Sequence, residues 1–232
     1  MKKKLVDSID KYIMSRMMSI SIFVGRYENI LEHSIAYHKE NIKNAKVFDV
    51  PSNDLVKLVG TESSFKTMGR YFSAVYSKTE INLTENLYKS LGLHALFLLS
   101  YSYFEHCLVV ICNTLKKQKN LEIGWQDLKG STLESIKNYL SKVVLIDYNF
   151  GTSKEWELIR QYLYIRNLIA HNGNIISDPE SYTKAFGYIE KLKGISLTDQ
   201  NEIIIEKEFI QNSLSTYAKL FANLFASMKK AT

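Results

Sequence analysis

A short segment of the sequence, Arg166-Asn167-Leu168-Ile169-Ala170-His171, contains residue types suited to chemistry on a phosphodiester. A histidine titrates near neutral pH and can act as a general acid or base. An arginine can bind a phosphate and stabilise the charge that develops on it. In a helix, Asn167 and His171 are one turn apart and share a face, where Asn167 can orient the imidazole or the phosphate. Arg166 lies well round the helix from His171, so we expect only its long side chain to reach the same pocket.

These groups favour RNA cleavage without a metal or other cofactor, because the ribose 2′-hydroxyl is itself the nucleophile. The protein then has to position the strand, move protons and neutralise charge. The reaction needs one group that accepts a proton and another that donates one, and a single histidine is a sparse set for both roles. A symmetric homodimer that brings two such helix ends together would double the set of groups. The expected products carry 2′,3′-cyclic phosphate ends.

A polar stripe on an otherwise apolar helix gives this segment a candidate neighbour. At helical spacing His94, Tyr101, Glu105 and Cys112 fall on one narrow stripe. An unpaired buried carboxylate is very unfavourable, and Arg166 is the natural partner for Glu105. Two interpretations stay open: a buried Glu105–Arg166 ion pair that only fixes two helices, or the same pair with a role in a site in addition.

The segment Ile165 to Gly173 resembles the signature of HEPN domains, in which Arg is followed by a polar residue and, after a gap of four to six residues, by His. The upstream segment Leu98 to His106 is similar to an earlier helix of that family, which often carries an acidic residue facing the site. The resemblance covers roughly residues 85 to 228 and leaves out the first part of the chain.

The resemblance implies a bundle of four or five helices that dimerises with both motifs at the interface. It implies a metal-independent endoribonuclease, often part of a toxin–antitoxin or phage-defence system with a partner protein. By the same analogy Arg166, Asn167 and His171 form the catalytic set, and Glu105, Tyr101 and Asn172 support it. Some members keep the fold without activity, so the alternative is a non-catalytic module that binds RNA, a nucleotide or another protein.

Composition places few limits on this interpretation. The 232 residues are 46% hydrophobic, enough for one large globular domain, and only 2 Pro and 10 Gly allow long helices. The formal charge of +6 is compatible with a polyanionic partner. The lysine clusters at residues 2–4, 116–119 and 229–230 are equally explained as solvated helix ends and tails.

The sequence favours a cytoplasmic protein without a membrane span. Cys107 and Cys112 are five positions apart in one helical run, which suits free thiols in a reducing compartment better than a disulfide. The apolar stretch from Leu91 to Ile111 is long enough to span a bilayer, but Glu105 within it favours a buried core helix. The basic N-terminus lacks a cleavage site, so no signal peptide is expected.

The remaining histidines favour structural roles. We expect His33 and His38 to lie on a solvated helix face, and His94 and His106 to lie in the core or at an interface. Packing is also the expected role of Tyr162 and Tyr164.

Periodicity and capping signals predict an all-α protein with a small β-hairpin. The predicted helices run from Val6 to about Lys43 (one helix, or two with a bend near Gly25), Leu55 to Lys78, Thr84 to about Lys117, Thr132 to about Leu140, Lys154 to about His171, Ser181 to Lys191 and Lys207 to about Met228. A turn is predicted at residues 49–54 and a hairpin at residues 195–205. We expect a long N-terminal helical extension at residues 1–82 and a HEPN-like helical bundle at residues 83–232.

Overall fold

The computed structural model describes residues 3–45 and 62–230, and these ranges form an all-α fold with one small hairpin, as predicted. The α-helices are α1 (Lys3–Ala45), α2 (Glu62–Asn82), α3 (Lys89–Lys119), α4 (Thr132–Asn138), α5 (Lys154–Asn172), α6 (Pro179–Ile189) and α7 (Lys207–Lys230). Strands β1 (Ile195–Leu197) and β2 (Ile203–Ile205) lie between α6 and α7.

The first helix is a single element. It continues through Gly25 without a break, which decides between the two arrangements that the sequence allowed. The predicted turn at residues 49–54 and the predicted start of the next helix at Leu55 lie outside the described residues. The described part of that helix, α2, extends beyond its predicted end at Lys78 to Asn82.

The predicted helix start at Thr84 and Glu85 is wrong. A π-helical segment, Leu83–Tyr88, joins α2 to α3, so the helix is continuous there. Thr84 resembled a helix cap in the sequence, but it is buried within this continuous helix. A local capping signal was overridden because the backbone on both sides is already helical.

The described chain forms two compact units. One contains Met1–Val24 and Leu93–Thr232, and the other contains Gly25–Gly92. The domain boundary predicted at residue 82 marks where the family resemblance begins. It differs from the limits of the two compact units, and it stays a prediction. The candidate catalytic residues and their supporting residues all belong to the first unit.

The core of the first unit is an aromatic cluster between α3, α5 and α7. Phe104 of α3 stacks on Tyr217 of α7 with ring centroids 4.5 Å apart. Phe97 meets Phe209 at 4.9 Å, and Tyr162 of α5 meets Phe209 at 5.5 Å. Because such rings bury large apolar areas, this cluster fixes α5 against its neighbours.

The N-terminal part of α1 belongs to the same unit. Val6, Ile13 and Met17 are buried at helical spacing. Lys229, near the end of α7, has its Nζ 2.9 Å from Oδ1 of Asp7. The first turns of the chain therefore pack with the unit that carries the motif.

The apolar character of α2 and α3 leaves one weak membrane candidate among the described residues. The continuous helix Met68–Lys119 is long and apolar enough, by length and composition, to cross a membrane. Half of its most apolar window is buried inside the protein, as in a core helix. Cys107 and Cys112 of α3 are free thiols, and burial raises the pKa of Cys107 to about 11 and that of Cys112 to about 12.

Candidate functional site

Helix α5 begins and ends where the sequence predicts. The Ser153 hydroxyl accepts a hydrogen bond from the backbone N–H of Trp156 at 3.1 Å, which caps the first turn. The helix ends after Asn172, where Gly173 adopts a left-handed conformation with φ 61°. Glycine favours this conformation because it has no Cβ to clash with the following carbonyl.

The chain just after α5 is held by strand β2. Asn174, also left-handed with φ 66°, donates from Nδ2 to Oε1 of Glu202 at 2.9 Å. The backbone N–H of Ile203 donates to the carbonyl of Asn174 at 2.8 Å. The end of the motif therefore has a defined position. Glu202 was not predicted from the sequence, because its separation from Asn174 along the chain gives no local signal.

His94 ties α3 to the same strand. Its Nε2 lies 2.9 Å from the carbonyl oxygen of Ile203, and the side chain is buried. Burial lowers the pKa of His94, although the hydrogen bond to Ile203 and the charge of Glu202 oppose this shift. The prediction of a core role for His94 is confirmed.

The candidate acid–base residue is exposed. His171 and Asn172 form the last, solvent-facing turn of α5. Asn167, one turn before His171 on the same face, is half-buried. His171 is therefore accessible to a polymeric substrate, which a buried histidine would not be.

Arg166 points away from His171 but is joined to Asn167. Five helical positions correspond to about 140° around the axis, so Arg166 starts on a different face. Its Nη1 donates to Oδ1 of Asn167 at 3.0 Å, while its Nε is buried without a hydrogen-bond partner among the described residues. Within the described part of the chain, no hydrogen bond or ring contact joins Arg166 directly to His171.

Two predicted supporting residues of α3 lie near Arg166. Burial raises the pKa of the half-buried Glu105, and the positive charge of Arg166 opposes the shift. Tyr101 is fully buried, and its hydroxyl has no hydrogen-bond partner among the described residues. Burial raises the pKa of Tyr101 well above its usual value; the Glu105 charge raises it further and the Arg166 charge lowers it. The three side chains therefore share one electrostatic environment.

The expected direct ion pair between Glu105 and Arg166 does not form. The described ion pairs, which extend to 4.0 Å, do not include these two residues. The guanidinium bonds instead to its sequence neighbour Asn167.

The other histidines divide between correct and wrong predictions. His33 is exposed, as predicted. His38 is half-buried, with Nδ1 3.3 Å from the Ser77 hydroxyl, so a solvated position for it is wrong. His106 is exposed on α3, so a core position for it is wrong, and a position at an interface stays a prediction. The ring of Tyr76, 5.9 Å from that of His38, helps to cover His38, and this long-range contact has no local sequence signal.

An open groove of about 260 Å³, which was not predicted from the sequence, lies beside Asn167. Arg160 and Tyr164 of α5 and Lys184 and Tyr188 of α6 line it. The spacing of Arg160, Tyr164, Asn167 and His171, which places all four on one helix face, was an available signal. The contribution of α6 depends on tertiary packing and was not predictable in this way.

Comparison of the chain with protein-family models, with curated proteins and with solved structures finds no match. Functional interpretation therefore depends on the residues and their geometry.

Proposed function

We propose that this protein is a metal-independent endoribonuclease of the HEPN type. The observation that carries the proposal is the position of His171 at the exposed end of α5, one turn beyond Asn167, with the Arg166 guanidinium bonded to that Asn167. An exposed imidazole, a half-buried amide and a half-buried guanidinium thus lie within the last two turns of α5. This set can bind a phosphodiester and move a proton.

The proposed reaction is an internal transesterification of RNA. A base removes the proton of the ribose 2′-hydroxyl, and the 2′-oxygen attacks the adjacent phosphorus. The bond from phosphorus to the 5′-oxygen of the next nucleotide breaks, and an acid protonates that oxygen. The products are a 2′,3′-cyclic phosphate and a 5′-hydroxyl, so atoms and charge balance without a bound cofactor.

Each residue has a distinct role in this reaction. His171 transfers a proton, and Arg166 stabilises the charge that develops on the phosphate. Asn167 orients Arg166 through their 3.0 Å hydrogen bond. Tyr101 and Glu105 set the electrostatic environment of the guanidinium from the buried side, and the exposed Asn172 contacts the strand next to His171.

A homodimer completes the proposed site. One chain supplies a single His171, while the reaction needs both a base and an acid. A second copy with the same helix end across a two-fold axis supplies the second imidazole. By the family resemblance, we propose a cytoplasmic protein of a toxin–antitoxin or anti-phage system, with a partner that controls it.

The decisive experiment compares His171→Ala with His33→Ala. Both variants remove an exposed histidine, but only His171 belongs to the motif. We expect wild type and His33→Ala to cleave single-stranded RNA in excess chelator and to leave 2′,3′-cyclic ends. His171→Ala should fold normally by circular dichroism and not cleave. Undiminished cleavage by His171→Ala would refute the proposal.

A non-catalytic RNA-, nucleotide- or protein-binding module is the second candidate. It is favoured by one observation: the charge of Arg166 acts on the buried Tyr101 and the half-buried Glu105, while among the described residues no hydrogen bond joins Arg166 to His171. In that case the polar cluster only stabilises the fold, and neither the purified wild-type protein nor any variant cleaves RNA.

A further inference from the structure

The groove beside Asn167 has features of a binding site that the proposed reaction does not use. Helix α5 supplies Arg160, Tyr164 and Asn167 to its lining, α6 supplies Lys184 and Tyr188, and Glu134 comes from α4. It is open to solvent and has a volume of about 260 Å³. A strand or a flexible chain can therefore enter it from the side.

The groove leads toward His171 along a single face of α5. Arg160, Tyr164 and Asn167 stand at spacings that continue to His171 on the same stripe. The distance from Arg160 to His171 along the helix axis is about 16 Å, from the rise of 1.5 Å per residue. A ligand of a few nucleotides that fills the groove can thus reach the proposed reacting group.

Two cations are available to an anionic ligand. Lys184 is exposed, with its Nζ 4.5 Å above the ring centroid of Tyr164. The Arg160 side chain is 59% exposed, and its Nη1 lies 3.4 Å from Oε2 of Glu157. An exposed pair of this kind is weak, so the guanidinium can exchange Glu157 for a phosphate.

The carboxylate in the lining is already paired. Oε2 of Glu134 lies 3.1 Å from Nζ of Lys137, which offsets its charge. The charged residues of the groove lining and their ion-pair partners therefore carry a net positive charge. They comprise three cations, Arg160, Lys184 and Lys137, and two anions, Glu134 and Glu157. This balance favours an anionic strand.

Aromatic and amide groups complement the two cations. The rings of Tyr164 and Tyr188 meet edge to face at 5.6 Å, and the Tyr164 hydroxyl donates to the carbonyl of Ser181 at 3.2 Å. Such a fixed aromatic pair offers a stacking surface to a base. Asn167 uses Oδ1 to accept from Arg166, and among the described residues its Nδ2 has no partner. That amide is free to donate to a base or a ribose hydroxyl.

We propose that this groove binds single-stranded RNA next to the bond that is cleaved. Lys184 and Arg160 contact phosphates, Tyr188 stacks on a base, and Asn167 joins the groove to the reacting group. The position of the cleaved bond rests on the proposed function, whereas RNA binding by the groove does not.

The test measures binding of a fluorescently labelled, single-stranded 2′-O-methyl RNA, which has no free 2′-hydroxyl and is not cleaved. We expect the double variant Arg160→Gln with Lys184→Gln to bind roughly tenfold or more weakly than wild type. The slope of log K against log salt should decrease by about 1.4, since each lost phosphate contact on a single strand accounts for about 0.7.

The matched control is Lys117→Gln with Lys219→Gln, two exposed lysines that do not line the groove. This pair should bind RNA as wild type does, to within twofold. A third variant, Tyr188→Leu, should weaken binding without changing the salt slope, because it removes a stacking surface and no charge. Thermal melting of each variant confirms that the fold is intact.

Several outcomes overturn the proposal. They are a groove variant that binds like wild type, a control that loses as much affinity as the groove variant, and an acidic peptide that displaces the RNA at equal concentration. The outcome for cleavage is separate. If His171→Ala still cleaves while the groove variant loses binding, the ribonuclease proposal fails and the groove proposal stands. If His171→Ala is inactive and the groove variant binds normally, the groove proposal fails and the ribonuclease proposal stands.

Discussion

At the scale of single residues, the chemistry centres on a guanidinium with partners on two sides. Arg166 donates to Asn167, and its charge acts on Glu105 and Tyr101 without an ion pair. An arginine held in this way is a fixed positive charge beside Asn167. The position of the guanidinium depends on Asn167. The electrostatic potential around it depends on whether Glu105 is ionised.

Glu105 makes stability depend on pH. Burial raises its pKa above the ordinary value of 4.5, so between 4.5 and the raised pKa the folded state binds more protons than the unfolded state. The free energy of unfolding therefore falls as the pH rises through that window. Glu105→Gln removes this dependence. We expect the unfolding free energy of the variant, minus that of wild type, to be larger at neutral pH than below pH 4.5.

Urea unfolding at the two pH values measures this difference. Glu122→Gln is the control, since it makes the same chemical change at an exposed residue. One contrary result is that the unfolding free energy of Glu105→Gln minus that of wild type is the same at both pH values, and another is that it is smaller at neutral pH. Either result would contradict the conclusion that burial raises the pKa of Glu105.

The variant Arg166→Gln distinguishes a catalytic role of Arg166 from a purely structural one. If Arg166 stabilises the phosphate, its loss should reduce kcat by roughly a hundredfold. The stability should decrease by only about 1–2 kcal/mol, because the side chain is half-buried and makes one charged hydrogen bond. A purely structural cluster instead predicts a loss of about 3 kcal/mol or more, as when one partner of a buried pair is removed, and no activity to lose. Denaturant unfolding and single-turnover RNA cleavage measure the two quantities.

At the scale of elements, the end of α5 fixes the position of His171, the proposed acid–base residue. Gly173 turns the chain into the left-handed region, and β2 then holds Asn174 through Glu202 and Ile203. Because His171 lies only two residues before this turn, the turn limits how far the last helical turn can shift.

Gly173→Ala tests that turn. A Cβ at Gly173 would meet nothing within 4 Å, so any cost comes from the left-handed backbone and not from a clash. We expect the variant to lose about 1 kcal/mol of stability. Gly187→Ala is the matched control, because this glycine is inside α6 and its Cβ also has free space. There alanine should stabilise by about 0.5–1 kcal/mol. Stabilisation by alanine at both positions in urea unfolding would show that the turn is not strained for alanine.

Local signals predicted the elements well, and long-range packing explains the failures. Ser153 and Gly173 mark the two ends of α5, because caps and left-handed turns depend on neighbouring residues. The Thr84 start failed because a cap signal cannot act where the helix is already continuous. In the site, the motif and its neighbours Tyr101 and Glu105 were predictable from helical spacing. The contact of Arg166 with Asn167 and the groove formed with α6 depend on side-chain direction and tertiary placement.

At the scale of the whole molecule, the proposed reaction requires more than one chain. Arg166 and His171 diverge by about 140° around α5, and His171 alone cannot both take and give a proton. A two-fold arrangement of exposed helix ends can place the arginine of one copy beside the histidine of the other. One shared site would then contain the arginines and the imidazoles of both protomers.

Mixing wild-type protein with His171→Ala tests this arrangement. The His171→Ala homodimer should be inactive, and a mixed dimer should also be inactive, because it holds only one of the two imidazoles. After unfolding and refolding at equal amounts, a quarter of the dimers are wild type, so about a quarter of the cleavage shown by the same total amount of wild-type protein should remain. Light scattering should show dimers in every sample. If about half of the cleavage remains, each chain has its own site, and a monomer would mean that a single chain must supply both proton transfers.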